Sequence, residues 1–416
     1  MKNYLTIATA ALMLAACSSD GTETEQAVTQ SGSLGFEVTV GESTRAVGAL
    51  NDLDAVKATG IGVFGLYTGS VEYKYKTVTP DFMHNQKVEW FVNTSDPSKS
   101  TWTYSPVKYW PNVATDMVTF FAYAPYEKEP GATKCIAKIS ESKEQGDPWL
   151  IYQLATDPFN LATPTDDADN QVDLLYATEV NTTDPGKPGA PLFDIQRTNV
   201  LGDKVQMQFN HALACSADRI DIKISDALKT KLDDYKYAKV YIYDVAVNFT
   251  HLTQKGKLVL NCNGSPNWQE VISDEITTSR SYTVNQTTLA TDIPGVVADA
   301  SYDAITEAAA LAYYTANAGL TTSPVTVSTG KGLFIIPIKL SGESQVCTIT
   351  VKYQIITNNG KHYEGTATSD EVILDNLKPG SIQNIVLTLN DKLQLKHKTF
   401  LLTGPGASGP SYAPKH

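Results

Sequence analysis

The feature that most constrains the fold is a short-range alternation of apolar and polar residues. Residues 34–40 show it most clearly, because every second side chain is apolar: Leu34, Phe36, Val38 and Val40. A period of two is typical of a half-buried β-strand. Strand-like runs recur at 61–67, 118–124, 205–213, 219–225, 239–247, 257–260, 333–340, 346–356 and 382–389. Turn clusters such as 358–360 and 379–380 separate them. The pattern predicts an all-β chain built from β-sandwiches.

Two segments favour helices instead. Residues 299–318 are rich in Ala, with Asp299 or Ser301 as candidate N-cap and Gly319 as the expected stop. Residues 226–234 predict a second, shorter helix. Both lie in the second half of the chain, so we expect a helical insertion there.

The 416 residues are enough for two domains of ordinary size. Residues 181–191 are rich in Pro, Gly and Asp and show no periodicity. We therefore expect one domain at 34–200 and another at 201–402. The end of the chain, 403–416, is dominated by Gly, Pro and Ser and predicts a disordered tail.

The N-terminus has the features of an export signal. Lys2 precedes an apolar stretch at 5–16, which is too short to span a bilayer and has the length of a signal-peptide core. The stretch ends in Leu14-Ala15-Ala16-Cys17 and is followed by polar residues, which resembles the lipobox of bacterial lipoproteins. The resemblance implies a signal peptide at 1–16, acylation of Cys17, a polar tether at 17–33, and anchoring in the outer membrane. The alternative is an ordinary secretory signal with an incidental Cys17.

Charge and cysteine content narrow the class of protein further. The net charge of −12 argues against nucleic-acid binding and suits an exported protein. Four cysteines remain besides Cys17: Cys135, Cys215, Cys262 and Cys347. Their wide spacing favours buried free thiols, with disulfides as the alternative in an oxidising compartment.

No motif for catalysis, cofactor binding or metal binding is found, so we expect no enzyme activity and no cofactor. His211 is in phase with apolar neighbours and is expected to point into the core. The acidic run 166–170, with Asp173 nearby, resembles a calcium loop weakly, but it lacks the Gly and the distal Glu of an EF-hand. A solvated loop is the preferred interpretation.

Four aromatic residues leave two functions open: Trp102, Tyr104, Tyr109 and Trp110. They could stack on sugars, which would suit a non-polymerising carbohydrate-binding lipoprotein at the cell surface. Their alternation also fits packing in a sandwich core, which we prefer.

Three segments resemble the fimbrillin family, which comprises subunits and accessory proteins of type V pili. They are Lys108-Tyr109-Trp110-Pro111 with residues 118–126, the run 173–177, and the run 205–214. The resemblance covers residues 34–390. It implies two transthyretin-like β-sandwich domains and a structural, adhesive role in a fimbrium at the cell surface.

The resemblance also implies a role for Arg45 and Ala46. In the family, an Arg-specific protease cuts behind the first strand, which then leaves its sandwich. A strand from the next subunit fills the groove by β-augmentation. The bond between Arg45 and Ala46 follows the strand at 34–40, so that strand would be the removable one. The alternative is an ordinary surface arginine.

The C-terminus departs from what a shaft subunit needs. Residues 392–402 are a candidate donor strand, but His397 and the cluster 400–402 break the alternation. A tip or accessory subunit is therefore as well supported as a shaft subunit, and an anchor that keeps its lipid is a third option. Expected partners are other pilus subunits, the outer membrane, and a host or bacterial surface ligand.

Overall fold

The computed structural model describes residues 32–41, 53–75, 78–132, 134–154, 172–184, 187–269, 271, 282–285, 295–296, 305–329, 332–338 and 343–402. Among these residues, β-strands are the main regular secondary structure. The first half contributes β1 (Gly35–Val40), β2 (Ile61–Gly69), β3 (Met83–Phe91), β4 (Thr101–Thr103), β5 (Met117–Ala124), β6 (Ile136–Ile139), β7 (Trp149–Gln153) and β8 (Leu175–Thr178). The second half begins with β9 (Lys204–His211), β10 (Ala214–Ile224), β11 (Lys239–Thr250), β12 (Lys255–Val259), β13 (Asn267–Gln269), β14 (Tyr282–Asn285) and β15 (Val325–Thr329). It ends with β16 (Leu333–Ile335), β17 (Val346–Ile356), β18 (His362–Thr368), β19 (Val372–Ile373), β20 (Ile382–Leu389) and β21 (Leu395–Leu402). The helices of the described residues are α1 (Leu53–Thr59), α2 (Asp226–Asp234) and α3 (Glu307–Ala316).

The largest sheet has the strand order β1-β9-β8-β5-β2-β3-β4. Strand β1 runs parallel to β9, and the other neighbouring pairs are antiparallel. The two edge strands, β1 and β4, contact each other. The sheet therefore folds over on itself and encloses a core that includes Val63, Phe120 and Phe209.

Strand β5 is buried along its whole length because both of its faces are covered. Val118 and Phe120 face the core of the folded sheet. Phe121 and Tyr123 face a second core, which contains residues of both halves. This explains why its sequence is a continuous apolar run rather than an alternation.

The second half forms a β-sandwich. One sheet has the order β15-β10-β20-β21 with β16 also on β10, and the other has the order β14-β11-β17-β18 with β19 also on β17. Ile220 and Ile385 of the first sheet share a core with Val247 and Ile349 of the second. The all-β class built from β-sandwiches is thus confirmed.

A further sheet, β13-β12-β7-β6, combines strands from both halves. Strand β7 belongs to the first half and β12 to the second, and they pair antiparallel from Lys255↔Gln153 to Val259↔Trp149. Backbone hydrogen bonds of a sheet therefore link the two halves.

The helices agree in part with the sequence. Helix α2 is confirmed, with Ser225 as N-cap: its hydroxyl accepts the Leu228 backbone N–H at 3.1 Å. The described part of the helix predicted at 299–318 is α3, which begins at Glu307 after the N-cap Thr306 and ends at Ala316. Its C-cap is Asn317, so the helix stops before Gly319. Asp299 and Ser301 lie outside the described residues.

One strand is shorter than predicted. The run at 333–340 yields only β16, which ends at Ile335. Pro337 follows two residues later and has no backbone N–H to donate to a neighbouring strand.

The region around residue 200 is folded into the first half. The Glu179 backbone N–H donates to Ala190 (2.8 Å), and that of Phe120 donates to Leu192 (2.9 Å). Strand β9, which follows residue 200, lies in the sheet of the first half. Because β9 pairs with strands of the first half, we propose that the first structural unit extends to His211. The tail at 403–416 lies outside the described residues.

Candidate functional site

Strand β1 turns one face into the core of the first half. Leu34, Phe36 and Val38 are each at most 2% exposed, and Val40 is half-buried. The strand predicted from the alternation at 34–40 is therefore confirmed, with its apolar face inward as expected.

Hydrogen bonds hold β1 along one edge and at its start. Its ladder partner is β9, in a parallel register that runs from Gly35↔Lys204 to Val40↔Phe209. Just before the strand, the chain also pairs on its other side. The Leu34 backbone N–H donates to the carbonyl of residue 108 (2.9 Å), and the N–H of residue 110 donates to the carbonyl of residue 32 (3.1 Å).

Phe36 is the largest side chain on the buried face of β1. Its ring centroid lies 5.6 Å from that of Tyr104 and 5.9 Å from that of Phe120, which it meets edge to face. We call the surface that β1 covers, lined by Tyr104, Phe120, Val205 and Met207, the β1 groove. Val205 and Met207 are the register partners of Phe36 and Val38 on β9.

Tyr104 also holds the backbone of the chain that enters the groove. Its hydroxyl donates to the Leu34 carbonyl at 2.8 Å. Burial raises the pKa of Tyr104 to about 12, although the Lys108 backbone N–H that the phenol oxygen accepts lowers it in part. The phenol therefore stays protonated at physiological pH and keeps its donor.

One ion pair crosses from β1 to β9. Glu37 Oε2 lies 3.0 Å from Lys204 Nζ, and the side chains are 43% and 39% exposed. A pair this exposed stabilises a fold by about 1 kcal/mol at most. The apolar face, not this pair, therefore dominates the binding of β1.

The predicted lipidation and processing residues, Cys17, Arg45 and Ala46, lie outside the described residues. By sequence, Arg45 and Ala46 fall between β1 and α1. The connection at 42–52 is the covalent link between β1 and the remainder of the fold.

The four aromatic residues considered for sugar stacking are mostly in the core. Trp102 and Trp110 are 5% and 2% exposed, and Tyr104 donates to Leu34. Trp110 packs on Phe120 with ring centroids 6.3 Å apart. Of the four, Tyr109 is the exposed one, at 58%. Packing in the core is confirmed for the other three.

His211 points inward, as expected, and its partner is a carboxylate. Its Nδ1 lies 2.7 Å from Asp173 Oδ2, and both side chains are buried. Burial lowers the pKa of His211, but the charge of Asp173 and its hydrogen bond raise it more, so that the net shift is upward. Asp173 is thus a buried partner of His211.

No disulfide joins any of these four cysteines. Cys215, Cys262 and Cys347 are buried, and Cys135 is half-buried. Burial raises the pKa of each thiol, to about 12 for Cys262 and Cys347. The interpretation as buried free thiols is confirmed for Cys215, Cys262 and Cys347.

Within the described part of the chain, no cluster of His, Cys, Asp or Glu could hold a metal ion. The acidic run at 166–170 lies outside that part. None of the described helices is long and apolar enough to cross a membrane.

The sequence did not reveal that the three segments that resemble the fimbrillin family lie next to one another in the fold. The segment 108–110 pairs beside the start of β1. The run 205–214 contains most of β9, and the run 173–177 contains most of β8. Trp110 Nε1 donates to the Asp203 carbonyl at 3.0 Å, next to β9. Local periodicity identified the strands, but no sequence signal identified Tyr104 as the donor that holds β1.

The fold and the edge strand define a class of β-sandwich proteins that carry a buried first strand paired with one neighbour. Residues 44–400 match the family model described as Fimbrillin-like. The chain belongs to the fimbrillin-like family, and it is a structural protein rather than an enzyme.

A relative by sequence agrees with this assignment, and a solved structure shows the same fold. Fimbrium subunit Fim1C of Phocaeicola vulgatus is 32% identical over 152 residues. That alignment covers 35% of this chain and 37% of the relative, well under two thirds of the relative's length. A fimbrial protein from Bacteroides vulgatus has a solved structure that superposes with a TM-score of 0.60 at 19% identity, covering 89% of this chain and 99% of that chain. This likeness shows that the two proteins share a fold.

Proposed function

We propose that this chain is a fimbrium subunit that assembles by donor-strand exchange at the β1 groove. Family membership supports the structural role. The observation that carries the mechanism is the position of β1: it forms a ladder with one neighbour, β9, at the edge of its sheet, yet it fills the core. Such a strand can be exchanged without unthreading any other strand of the sheet.

Proteolysis is the proposed trigger. A cut between Arg45 and Ala46 would sever the connection between β1 and α1. The residues before the cut would then be held by noncovalent contacts alone. A lipid on Cys17 would leave with them, so the outer-membrane anchor would act as a delivery device that holds the subunit until it is processed.

The free energy of these contacts explains why we expect β1 to be exchanged for another strand rather than simply to dissociate. Leu34, which precedes β1, and Phe36 and Val38 within it each stabilise the fold by roughly 1.5–3 kcal/mol. Leaving also exposes backbone donors and acceptors of β9 and the groove. The cut strand therefore remains bound until another strand offers equivalent contacts.

The proposed partners are other pilus subunits, through the groove, and a host or bacterial surface ligand. A tip or accessory subunit and a shaft subunit fit this scheme equally. An anchor subunit would instead keep the bond between Arg45 and Ala46 intact and retain its lipid.

The test is digestion of the purified full-length chain with an Arg-specific protease in the presence of other pilus subunits, followed by N-terminal sequencing and size analysis. We expect Ala46 as the new terminus, with complexes between the chain and those subunits appearing only after the cut. Sequencing separates this cut from those after Arg197, Arg219 and Arg280. Arg45→Lys keeps the charge, and we expect it to remain uncut at this position and monomeric. Assembly that proceeds without any Ala46 terminus would contradict the proposal.

A further inference from the structure

We propose that the β1 groove selects its strand by an aromatic side chain at the position of Phe36, flanked two residues away on each side by aliphatic side chains. We further infer that a second copy of this chain cannot supply such a strand from residues 392–402. The occupant is then a strand of a different protein with the pattern aliphatic-x-aromatic-x-aliphatic. This inference rests on the proposed donor-strand function.

The centre of the groove is shaped for an aromatic ring. Phe36 is 1% exposed and is flanked by the rings of Tyr104 and Phe120. A smaller side chain there would leave a cavity, and the surrounding core could close it only in part. The centre therefore discriminates by volume.

The two outer positions require apolar side chains for a different reason. Leu34 and Val38 are 2% and 1% exposed, so a charged side chain in either place would lose its hydration. An unpaired buried charge is among the most costly groups to accommodate. The outer positions therefore discriminate by polarity.

The backbone contacts define the direction of the strand. The six ladder pairs between β1 and β9 are parallel. The Tyr104 hydroxyl donates to the carbonyl two residues before the aromatic side chain. An occupant that reproduces these bonds runs parallel to β9. Its aromatic residue is the third after the residue that takes the place of Ser33, which pairs with Tyr109.

Charge adds a smaller preference. Lys204 pairs with Glu37, which directly follows Phe36. An acidic residue after the aromatic is thus favoured, and a basic one is disfavoured. The exposure of this pair makes its contribution small beside that of the apolar positions.

The chain's own C-terminal segment does not meet these requirements in any register. The groove needs apolar side chains at three alternating positions. In residues 392–402, every such triplet includes at least one of Lys392, Lys396, His397, Lys398 and Thr399. If Phe400 occupied the centre, Lys398 would enter the buried position of Leu34 and Leu401 would replace Glu37 beside Lys204.

The same segment already has a place in its own fold. Strand β21 pairs antiparallel with β20 along its full length, from Ile382↔Leu402 to Leu389↔Leu395. Leu395 is its fully buried side chain, at 1% exposure, and the rest are half-buried or exposed. Its pattern of burial suits one face of its own sheet and differs from that of β1.

The test uses the full-length chain after cleavage with an Arg-specific protease, together with synthetic peptides. The first peptide has the sequence of residues 32–41, and variants carry Phe36→Ala or Val40→Ala. Another has the sequence of residues 392–402. Incorporation of each peptide and release of the cleaved N-terminal fragment are followed by native mass spectrometry. Because the changes are in the peptides, no variant of the protein has to fold.

We expect the peptide of residues 32–41 to displace the fragment, and Val40→Ala to bind within about threefold of it, because Val40 is half-buried. Phe36→Ala and the peptide of residues 392–402 should each bind at least about a hundredfold more weakly. Binding of the 392–402 peptide within about tenfold of the 32–41 peptide, or an unimpaired Phe36→Ala peptide, would overturn the specificity. If even the 32–41 peptide fails to exchange, the donor-strand proposal itself fails, and the specificity with it.

Discussion

At the scale of single residues, sequence patterns predicted orientation but not partners. His211 was expected to point inward because it alternates with apolar residues, and it does. Its partner, Asp173, lies 38 positions earlier in the chain, and no local pattern relates the two. The other ring nitrogen of His211, Nε2, is buried and makes no hydrogen bond within the described residues. The imidazole therefore depends on a single strong partner.

The upward shift of the pKa of His211 predicts a pH-dependent stability. A group whose folded pKa is raised contributes its full stability below the unfolded value of about 6.5, and loses it as the pH rises through the folded value. His211→Gln should therefore lower Tm more at about pH 5.5 than at about pH 8.5. Thermal unfolding of both proteins across this range measures the difference.

A matched control is His251→Gln, since His251 lies in an exposed pair with Glu343. Its effect on Tm should be small at both pH values. If the loss caused by His211→Gln were larger at the alkaline end, the charged form of His211 would not be the stabilising one.

At the scale of secondary structure elements, the strands were largely predictable and their neighbours were not. The alternation at 34–40 identified β1 and its inward face. Its ladder partner β9 begins more than 160 residues later, and a register with a distant strand leaves no trace in local periodicity. The same holds for the pairing of β7 with β12. Short connecting helices such as α1 and the brief strands β4 and β6 carry too few residues for a periodic signal.

In the sheet that joins the two halves, one position of β12 should be sensitive to substitution. Gly256 faces Trp268, and an added Cβ would lie 2.9 Å from the indole Cε3. Trp268 is held by a hydrogen bond from Nε1 to the Ala212 carbonyl. Gly256→Ala should therefore push the indole away and destabilise the fold by about 1–3 kcal/mol, measured by urea unfolding.

Gly131→Ala provides the control, because no atom lies within 4 Å of a Cβ added there. We expect a change of less than about 0.5 kcal/mol at this half-buried position, where the added methyl group meets open space. Equal effects of the two substitutions would mean that Trp268 can move aside without loss.

At the scale of the whole molecule, the two halves share a hydrophobic core and a sheet. A single hydrophobic core includes Phe121 and Tyr152 from the first half together with Ile220 and Leu258 from the second. The mixed sheet β13-β12-β7-β6 adds backbone hydrogen bonds across the same boundary. A boundary between two domains near residue 200 was predicted from length and composition, and it stays a prediction. A change in composition does not report whether a core is shared.

A truncated chain of residues 201–402 should therefore not fold on its own. Strand β9 would lose its neighbours β1 and β8, β12 would lose β7, and the shared core would be open on one side. The free energy of unfolding of a folded protein is only about 5–15 kcal/mol. We expect the loss of these strand pairs and of half the shared core to exceed it. Calorimetry should show no cooperative transition.

The chain of residues 32–402 is the control, and it should unfold cooperatively near the Tm of the full-length protein. A sharp transition for residues 201–402 at a similar temperature would show that the second half is independent.

The sequence by itself determined the all-β class, most strand positions, the inward face of β1, the core position of Trp110 and the absence of an enzymatic motif. These depend on local periodicity and side-chain chemistry, which a chain carries wherever its segments pack. The tertiary structure decided which strands are neighbours, that β1 pairs in parallel with β9, that Tyr104 and Phe120 shape its groove, and that one core joins both halves. These depend on contacts between residues distant in the chain, and such contacts arise only when the whole chain folds.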